Sequence, residues 1–209
     1  MTSGLSKTLN RFTTFSQEIT ALESLRKERR SKIKKYPPLA VLVATIRPDD
    51  LSSLLSQLLQ QSLPVFELRL GLHGVELTTA HKKQISALNR RKVKTFVQKF
   101  DPEKTLGTVL SGLASETNCE FIAKMDDDDY YGPEHLRDLL DAAIDTGAEV
   151  VGRAMNYIYL EPLHVTLRKF GRGSMQTVEH YSDWICGGTI LAKRTSAQTA
   201  GWFGDGRSA

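Results

Sequence analysis

Four consecutive aspartates at positions 126–129 are the residues of this sequence whose types and spacing most clearly indicate chemistry. They lie in the stretch MDDDDYYGP, directly after the apolar run FIAKM. In an extended chain successive side chains point to opposite sides, so we expect Asp126 and Asp128 to share one side while Asp127 points away. Two carboxylates that converge on one point repel each other unless a cation lies between them. The cluster therefore predicts a cation site.

The oxygen chemistry of the cluster indicates which cation it would bind. Mg²⁺ and Mn²⁺ are hard ions that take oxygen ligands, typically one or two carboxylates together with substrate phosphates. A substrate that carries a diphosphate and is held through the metal is the simplest explanation of the cluster. The alternative is an acidic loop without a ligand, in which Asp129 caps the following helix.

Two other acidic motifs can be compared with the spacing. An EF-hand loop that began at Asp126 would need an oxygen ligand, a glycine and a glutamate at its fifth, sixth and twelfth positions. Tyr130, Tyr131 and Arg137 occupy those positions, which excludes the EF-hand. Phosphatases of the haloacid-dehalogenase type also place Asp-x-Asp after an apolar strand, but they have Thr or Val where this chain has Tyr130. Such a phosphatase is therefore the competing interpretation of the motif.

The segments around the cluster alternate between strand-like and helix-like patterns. Strands are predicted at 39–45, 66–72, 93–97, 121–125 and 149–151, and helices at about 51–59, 78–91, 105–117 and 133–146. Asp49 or Asp50 is expected to cap the first of these helices, Pro133 to lie in the first turn of the last one, and Gly147 to end it. This order predicts an α/β fold with a mostly parallel sheet and helices on both faces.

The predicted fold places the acidic cluster at the carboxyl end of a central strand. Open α/β sheets form their ligand crevices at that edge. Composition agrees with a single globular domain, since 40% of the residues are hydrophobic and 25% are charged. No apolar run approaches the ~20 residues of a membrane span, and the N-terminus lacks the apolar stretch of a secretory signal. Cys119 and Cys186 are far apart, so we expect a reduced, cytoplasmic protein.

The positive charge of the chain is concentrated at its N-terminus. Residues 1–37 contain nine Lys and Arg against three Glu, a net charge of +6, whereas residues 38–209 contain nineteen against twenty-one, a net charge of −2. The division predicts a basic arm at 1–37 and one domain at 38–209. A faintly acidic domain argues against nucleic acid as its partner, because phosphate binding needs basic surface at the site.

The arm itself has a helical pattern. Its apolar residues recur at steps of three and four, namely Leu5, Leu9, Phe12, Phe15, Ile19 and Leu22. The helix either packs on this domain or on a neighbouring one, or it binds an anionic membrane surface through its basic end, at the inner face of the membrane.

Three segments together resemble the family-2 glycosyltransferases, which have the GT-A, Rossmann-like nucleotide-sugar fold. VLVATIRPDDLSSLLSQLLQQS at 41–62 is similar to the opening strand, Thr/Arg loop and first helix of that family. FIAKMDDDDYYGPEHL at 121–136 is similar to its Asp-x-Asp motif, and WICGGTILAKR at 184–194 to its later Gly-Gly segment. The resemblance covers residues 39–203. It implies a metal-dependent enzyme that moves a sugar from a UDP- or GDP-type donor to a hydroxyl of a glycan or other acceptor, with inversion of the anomeric centre.

The resemblance also implies roles for individual residues. Thr45 and Arg47 would lie beside the nucleotide of the donor, unless they form only a helix-entry turn before a proline. Asp126 would contact the ribose or the metal, and Asp127 would belong to the donor-binding loop. Asp128 would be the principal ligand of Mn²⁺ or Mg²⁺, which would bridge the diphosphate and stabilise the charge that develops on it.

Two departures from the family pattern affect these expectations. The second strand of the family often ends in acidic residues that bind the nucleotide base, whereas here it ends in LGLHG with His73. Inverting members also use an Asp or Glu beyond the Gly-Gly segment as general base. Asp205 is the candidate here, followed by Asp183, and the chain ends shortly after Asp205, apparently truncated at its C-terminus. The alternative function is a catalytically silent nucleotide-sugar-binding module or fragment that lacks its base.

Overall fold

A computed structural model describes residues 15–154, 157–168 and 178–206. The chain divides into two compact units. The larger unit is formed by Lys35–Gly152 and Gly187–Ala209, and the smaller unit by Met1–Lys34 and Arg153–Cys186. The larger unit begins close to the predicted boundary, but the smaller unit combines the N-terminal residues with a later segment that the sequence patterns did not single out. The division into 1–37 and 38–209 stays a prediction.

Within the described residues, eight strands form two sheets. In chain order they are β1 (Leu39–Thr45), β2 (Glu67–His73), β3 (Lys94–Phe100), β4 (Phe121–Lys124), β5 (Val150–Val151), β6 (Tyr157–Leu160), β7 (Val165–Arg168) and β8 (Leu191–Lys193). The larger unit contains a six-stranded sheet in the order β3-β2-β1-β4-β8-β5, and the smaller unit contains the β6–β7 pair.

The six-stranded sheet is mostly parallel, as predicted. β1 pairs in parallel with both β2 and β4, and β2 pairs in parallel with β3. Only β8 runs in the opposite direction, between β4 and β5. Because four parallel strands end at one edge, the residues that follow β1 and β4 are brought together there.

In the part of the chain that the structure describes, six α-helices accompany the strands. They are α1 (Phe15–Lys32), α2 (Pro48–Gln60), α3 (Thr79–Arg90), α4 (Leu106–Ser115), α5 (His135–Thr146) and α6 (Arg194–Thr199). Two predicted helix starts are corrected. Arg47 is the N-cap of α2, so Asp49 and Asp50 lie in the first turn and do not cap it. α5 begins two residues after Pro133, whereas its predicted end at Gly147 is confirmed by a left-handed φ of 70°.

Hydrophobic side chains cover both faces of the six-stranded sheet. On one face, buried leucines of α2 and α5 pack on Val41 and Val43 of β1. On the other face, Val109, Leu110 and Leu113 of α4 pack on the alternate residues of the same strand. A fully buried leucine contributes about 2 kcal/mol, so the two layers hold the sheet firmly. The prediction of an α/β fold with helices on both faces is confirmed.

The last described residues of the larger unit lie along α4. The amide of Gly107 donates to the carbonyl oxygen of Gly206 (3.2 Å), and the hydroxyl of Ser111 donates to the carbonyl oxygen of Phe203 (3.0 Å). A Cβ built on Gly107 would lie 1.5 Å from the carbonyl oxygen of Gly204. Only glycine at this position allows the C-terminal segment to approach the helix so closely.

The smaller unit consists of α1, the β6–β7 hairpin and the residues that follow the hairpin. Arg29 of α1 forms a two-pronged ion pair with Glu179 (2.5 Å), and Glu18 of α1 pairs with Arg168 of β7. The predicted N-terminal helix is confirmed over Phe15–Lys32, while its apolar positions 5, 9 and 12 lie outside the described residues. In the part of the chain that the structure describes, no helix is long and apolar enough to cross a membrane.

Candidate functional site

The candidate site lies at the carboxyl edge of the six-stranded sheet, where β1 and β4 end side by side. The buried carboxylate of Asp127 accepts hydrogen bonds from the hydroxyl of Thr45 (2.6 Å) and from Nη2 of Arg47 (2.6 Å). Nη1 of Arg47 pairs with a carboxylate oxygen of Asp128 (2.8 Å). The structure therefore brings together the Thr/Arg loop after β1 and the acidic run after β4, while the donor-binding roles expected of these residues stay predictions.

The orientation expected from strand alternation is wrong for the acidic run. Asp127 and Asp128 both contact Arg47, so they do not point to opposite sides. β4 ends at Lys124 and the chain turns at Asp127 and Asp128, so the alternation of an extended strand no longer applies there. The pKa of Arg47 is raised above its ordinary value, and the hydrogen bond to Asp127 is the largest cause of this shift. Arg47 is therefore a permanent cation beside the aspartates.

Asp126 is held by a different cation. Its Oδ1 lies 2.6 Å from Nζ of Lys124, whose side chain is only 1% exposed. The stem of Lys124 lines an apolar cavity of about 160 Å³ together with residues such as Ile122, Ile190 and Trp202. A charge in such surroundings is stable only when it is paired. Asp126 therefore neutralises Lys124 with one oxygen and keeps the other oxygen available.

The second oxygen of Asp126 faces a space at Gly188, which we call the glycine notch. A Cβ built on Gly188 would lie 2.7 Å from Oδ2 of Asp126, 2.7 Å from Oδ2 of Asp129 and 3.2 Å from the hydroxyl of Tyr131. Oxygens of three side chains thus converge on Gly188 so closely that a side chain at this position would collide with them.

The electrostatics of the notch favour a positive charge. Partial burial, followed by the charges of Asp126 and Asp128, raises the pKa of Asp129 above its ordinary value. A cation at the notch would relieve this repulsion. No group of three His, Cys, Asp or Glu side chains that could hold a metal by themselves occurs within 15–154, 157–168 and 178–206. Two carboxylates are nevertheless the protein share expected for a Mg²⁺ or Mn²⁺ ion that takes its other ligands from phosphates, so the residues present fit such an ion.

Tyr131 connects the residues of the glycine notch through hydrogen bonds, and it was not identified as a site residue from the sequence. Its buried hydroxyl accepts from the amide of Asp126 (2.7 Å) and donates to the carbonyl oxygen of Gly188 (2.8 Å). The acidic loop and the Gly-Gly segment, which are about 60 positions apart in the sequence, are joined through this single hydroxyl. The aromatic residue after the aspartates was the available signal, since a buried tyrosine needs a partner for its hydroxyl.

Two buried glutamines, Gln57 in α2 and Gln61 at its C-cap, hold the acidic loop by hydrogen bonds, and they too were not identified from the sequence. The side-chain oxygen of Gln57 accepts from the amide of Tyr131 (2.6 Å). Gln61 donates to the carbonyl oxygen of Gly132 (3.0 Å) and accepts from the amide of Leu136 (3.1 Å). The signal in the sequence was their spacing, because they interrupt the leucine stripe of α2 four residues apart.

Three other residues from the sequence analysis lie apart from the notch contacts. Asp205 accepts hydrogen bonds from the hydroxyls of Thr105 (2.8 Å) and Thr108 (3.0 Å) at the N-terminus of α4, and these bonds lower its pKa. A lowered pKa makes a carboxylate a weaker proton acceptor at neutral pH. Nε2 of His73 lies 2.9 Å from the carbonyl oxygen of Pro102, and Asp183 is exposed in the smaller unit.

Comparison with known proteins supports the fold. No protein-family profile and no curated protein sequence matches the chain. Among solved structures, it is similar to the mannosyltransferase PcManGT from Pyrobaculum calidifontis in complex with GDP-Man and Mn²⁺, with 13% identity and a TM-score of 0.56 over 89% of this chain and 56% of that one. The chain has the GT-A fold.

Structures of S. aureus TarS support the same conclusion. TarS 1–349 in complex with UDP-GlcNAc is 17% identical, with a TM-score of 0.54 over 79% of this chain and 48% of that one. The chain thus spans about half the length of these solved structures, 56% and 48%. At such identities the likeness concerns the fold, and it confirms the fold class predicted from the sequence.

Proposed function

We propose that the larger unit binds a nucleotide sugar through a divalent cation and transfers the sugar to a hydroxyl acceptor. The observation that carries this proposal is the glycine notch, where Oδ2 of Asp126 and Oδ2 of Asp129 lie at the carboxyl edge of a GT-A sheet. Two converging carboxylates suit an ion that also binds a diphosphate. PcManGT was solved with GDP-Man and Mn²⁺, and TarS with UDP-GlcNAc, which supports a GDP- or UDP-type donor here.

In this proposal Asp126 and Asp129 hold the Mn²⁺ or Mg²⁺ ion. When bound, the ion supplies positive charge that stabilises the departing nucleoside diphosphate. The sequence predicted Asp128 as the principal ligand together with Asp126. That role for Asp128 stays a prediction, and it would use the carboxylate whose Oδ2 pairs with Nη1 of Arg47 at 2.8 Å.

In the proposal, the exposed and buried residues at the Thr/Arg loop have different roles. The side chain of Arg47 is 46% exposed, so its guanidinium can contact donor phosphates with the planar geometry that suits them. Thr45 is 1% exposed and Asp127 is 4% exposed. Both therefore act by holding Arg47 in place, and neither needs to contact the donor.

The transfer itself would be a single displacement. An acceptor hydroxyl, from a glycan or another alcohol, attacks the anomeric carbon while the bond from that carbon to the phosphate oxygen breaks, so the configuration inverts and the hydroxyl proton passes to a base. Asp205 as that base stays a prediction, which its two hydroxyl partners and lowered pKa do not favour. A cytoplasmic location and peripheral contact of residues 1–37 with the inner face of a membrane belong to the same proposal.

Titration calorimetry with UDP and GDP tests the donor side of the proposal. We expect one of the two to bind only when Mn²⁺ or Mg²⁺ is present, and EDTA to abolish the binding. Binding that is indifferent to EDTA would contradict the metal site. Incubation with the nucleotide sugar then distinguishes the functions, because a transferase releases nucleoside diphosphate, a phosphatase releases phosphate from phosphomonoesters, and a silent module releases neither.

A further inference from the structure

The β6–β7 hairpin of the smaller unit exposes an unusual amount of apolar surface. Its exposed large hydrophobic residues, which we call the hairpin surface, are Tyr157 (52%), Ile158 (37%), Tyr159 (57%), Leu163 (66%), Val165 (43%) and Leu167 (48%). Tyr181 and Trp184, further along in the same unit, are 75% and 56% exposed. Among the described residues, the smaller unit thus carries nine of the fifteen exposed large hydrophobic ones, counting Ile19 of α1, although it is less than half the size of the larger unit.

The strand register separates the hairpin surface into two faces. Ile158 pairs with Leu167, and Leu160 pairs with Val165, so one face carries only aliphatic side chains. The opposite face carries Tyr157 and Tyr159 together with Thr166 and Arg168. Arg168 on this second face pairs with Glu18 of α1 and lies over the ring of Tyr157. α1 thus contacts the tyrosine face through Arg168, whereas Ile158, Val165 and Leu167 of the aliphatic face are 37–48% exposed.

An isolated two-stranded hairpin is only marginally stable in water, so its aliphatic face needs a cover. The net charge of the smaller unit indicates which kind of partner would cover the aliphatic face. By sequence, Met1–Lys34 and Arg153–Cys186 contain twelve Lys and Arg against six Asp and Glu, a net charge of +6, and the remainder of the chain has sixteen against eighteen, a net charge of −2. Among the described residues, most of the exposed large hydrophobic side chains therefore occur in the same unit as all of the net positive charge of the sequence.

We propose that the smaller unit docks on a membrane that contains anionic lipids, with the hairpin surface inserted at the headgroup level. Aliphatic side chains gain by leaving water, tyrosine and tryptophan suit the boundary between headgroups and acyl chains, and a net positive charge is attracted to anionic headgroups. The sequence assigned membrane contact to residues 1–37 alone. The proposal extends that contact to the hairpin, and it does not depend on the transferase activity.

Vesicle binding by the full chain tests this docking. The protein is mixed with vesicles of phosphatidylcholine alone or of equal parts phosphatidylcholine and phosphatidylglycerol, and bound protein is measured by sedimentation. We expect binding to the anionic vesicles only, and weaker binding as salt rises. The double variant Ile158→Ser, Leu167→Ser should bind at least about tenfold more weakly, because burial of two aliphatic side chains contributes more than the equivalent 1.4 kcal/mol.

Matched controls separate docking from general hydrophobicity and from unfolding. The double variant Val65→Ser, Val97→Ser removes two exposed aliphatic residues of the larger unit, which are 57% and 42% exposed, and should bind vesicles like the unchanged protein. Trp184 and Trp202 are the two tryptophans of the chain, so the variant Trp202→Phe reports on Trp184 alone. The fluorescence of Trp184 in this variant should shift to shorter wavelength when anionic vesicles are added. Circular dichroism and nucleotide titration verify that the hairpin variant remains folded.

Three results would overturn the proposal. The first is equal binding to neutral and anionic vesicles, and the second is unchanged vesicle binding by the hairpin variant. The third is a change of oligomeric state in the hairpin variant, measured by sedimentation velocity without lipid, since the surface would then bind a second copy of the chain. Loss of nucleotide binding with intact vesicle binding would instead contradict the proposed function and leave the docking standing.

Discussion

The four aspartates at 126–129 divide into two pairs with opposite surroundings. Asp127 and Asp128 share the guanidinium of Arg47, which is a cation built into the protein. Asp126 and Asp129 instead direct one oxygen each to the glycine notch, where the side chain is missing. Adjacent residues of one acidic run thus have different surroundings, since one pair shares an arginine and the other pair converges on Gly188.

The difference shows that the number of aspartates does not by itself define a metal site. The charge of a carboxylate that faces a guanidinium is already neutralised in part, so it gains less from a metal ion than a carboxylate that faces another carboxylate. Asp126 takes part in both kinds of contact. Its Oδ1 pairs with Nζ of Lys124 at 2.6 Å, and its Oδ2 faces the glycine notch. Variants that act on one pair and spare the other can therefore test the division.

The largest expected effect on stability comes from Asp126→Ala. The change leaves the ammonium of Lys124, with a side chain 1% exposed, without the carboxylate that neutralises it, and such a loss costs about 3 kcal/mol. Chemical denaturation followed by circular dichroism measures it. Asp128→Ala, at a side chain that is 49% exposed, should change the unfolding free energy by less than about 0.5 kcal/mol.

A double variant completes this test. Lys124→Met with Asp126→Ala removes both charges, and it should recover most of the lost stability because no buried charge remains. Equal destabilisation by Asp126→Ala and Asp128→Ala would show that the two pairs do not differ.

The next effect is on metal-dependent binding, through Gly188→Ala. The added Cβ would lie 2.7 Å from both Oδ2 atoms and fill the notch. Affinity for the nucleotide in the presence of Mn²⁺ should fall at least about tenfold, equivalent to 1.4 kcal/mol, by titration calorimetry. Gly132→Ala is the matched control, because a Cβ on Gly132 meets nothing within 4 Å. Full affinity in Gly188→Ala would place the metal elsewhere.

A smaller difference is expected between Asp129→Asn and Asp128→Asn. Both variants keep the shape of the side chain and remove one negative charge. We expect Asp129→Asn to weaken Mn²⁺-dependent nucleotide binding severalfold more than Asp128→Asn, because the carboxylate of Asp129 faces the notch. The opposite ranking would support the role that the sequence predicted for Asp128, and would mean that Asp128 exchanges Arg47 for the ion.

The smallest effect concerns Asp205, away from both pairs. Hydrogen bonds from Thr105 and Thr108 lower its pKa below the ordinary value of 3.8, so its carboxylate stabilises the fold above that pH, and the contribution disappears as the pH falls through the lowered value. Asp205→Asn should therefore be slightly less stable than the unchanged chain at pH 7, and the difference should vanish in acid. Thermal unfolding at a series of pH values measures it. Sugar transfer abolished by Asp205→Asn would establish Asp205 as the base.

The sequence predicted the sheet well because its information is local. A short apolar run such as β1, followed by a leucine stripe at helical spacing, specifies a strand and a helix without reference to distant residues. The position of the acidic run at the carboxyl edge followed from the order of these elements. The directions of the four carboxylates did not follow, because they depend on a turn after Lys124 and on Gly188, about 60 positions later.

The contacts within the smaller unit were even harder to predict from the sequence. Nothing in the spacing of α1 indicates that Arg29 pairs with Glu179, 150 positions away, or that the hairpin belongs beside α1. Ion pairs between distant segments leave no periodic pattern. Tyr131, Gln57 and Gln61 were missed for a related reason, since a polar residue that is buried looks the same in the sequence as one that is exposed.

The buried glutamines Gln57 and Gln61 have a thermodynamic consequence. They attach the acidic loop to α2 and its C-cap, and the N-cap of α2 is Arg47, so in the proposed function a shift of the arginine towards a phosphate would be transmitted to the carboxylates at the notch. Nucleotide and metal should then bind cooperatively, and linkage requires the two to strengthen each other by the same factor. Glutamine-to-leucine changes in α2 would reduce that factor while leaving the ligands of both sites in place.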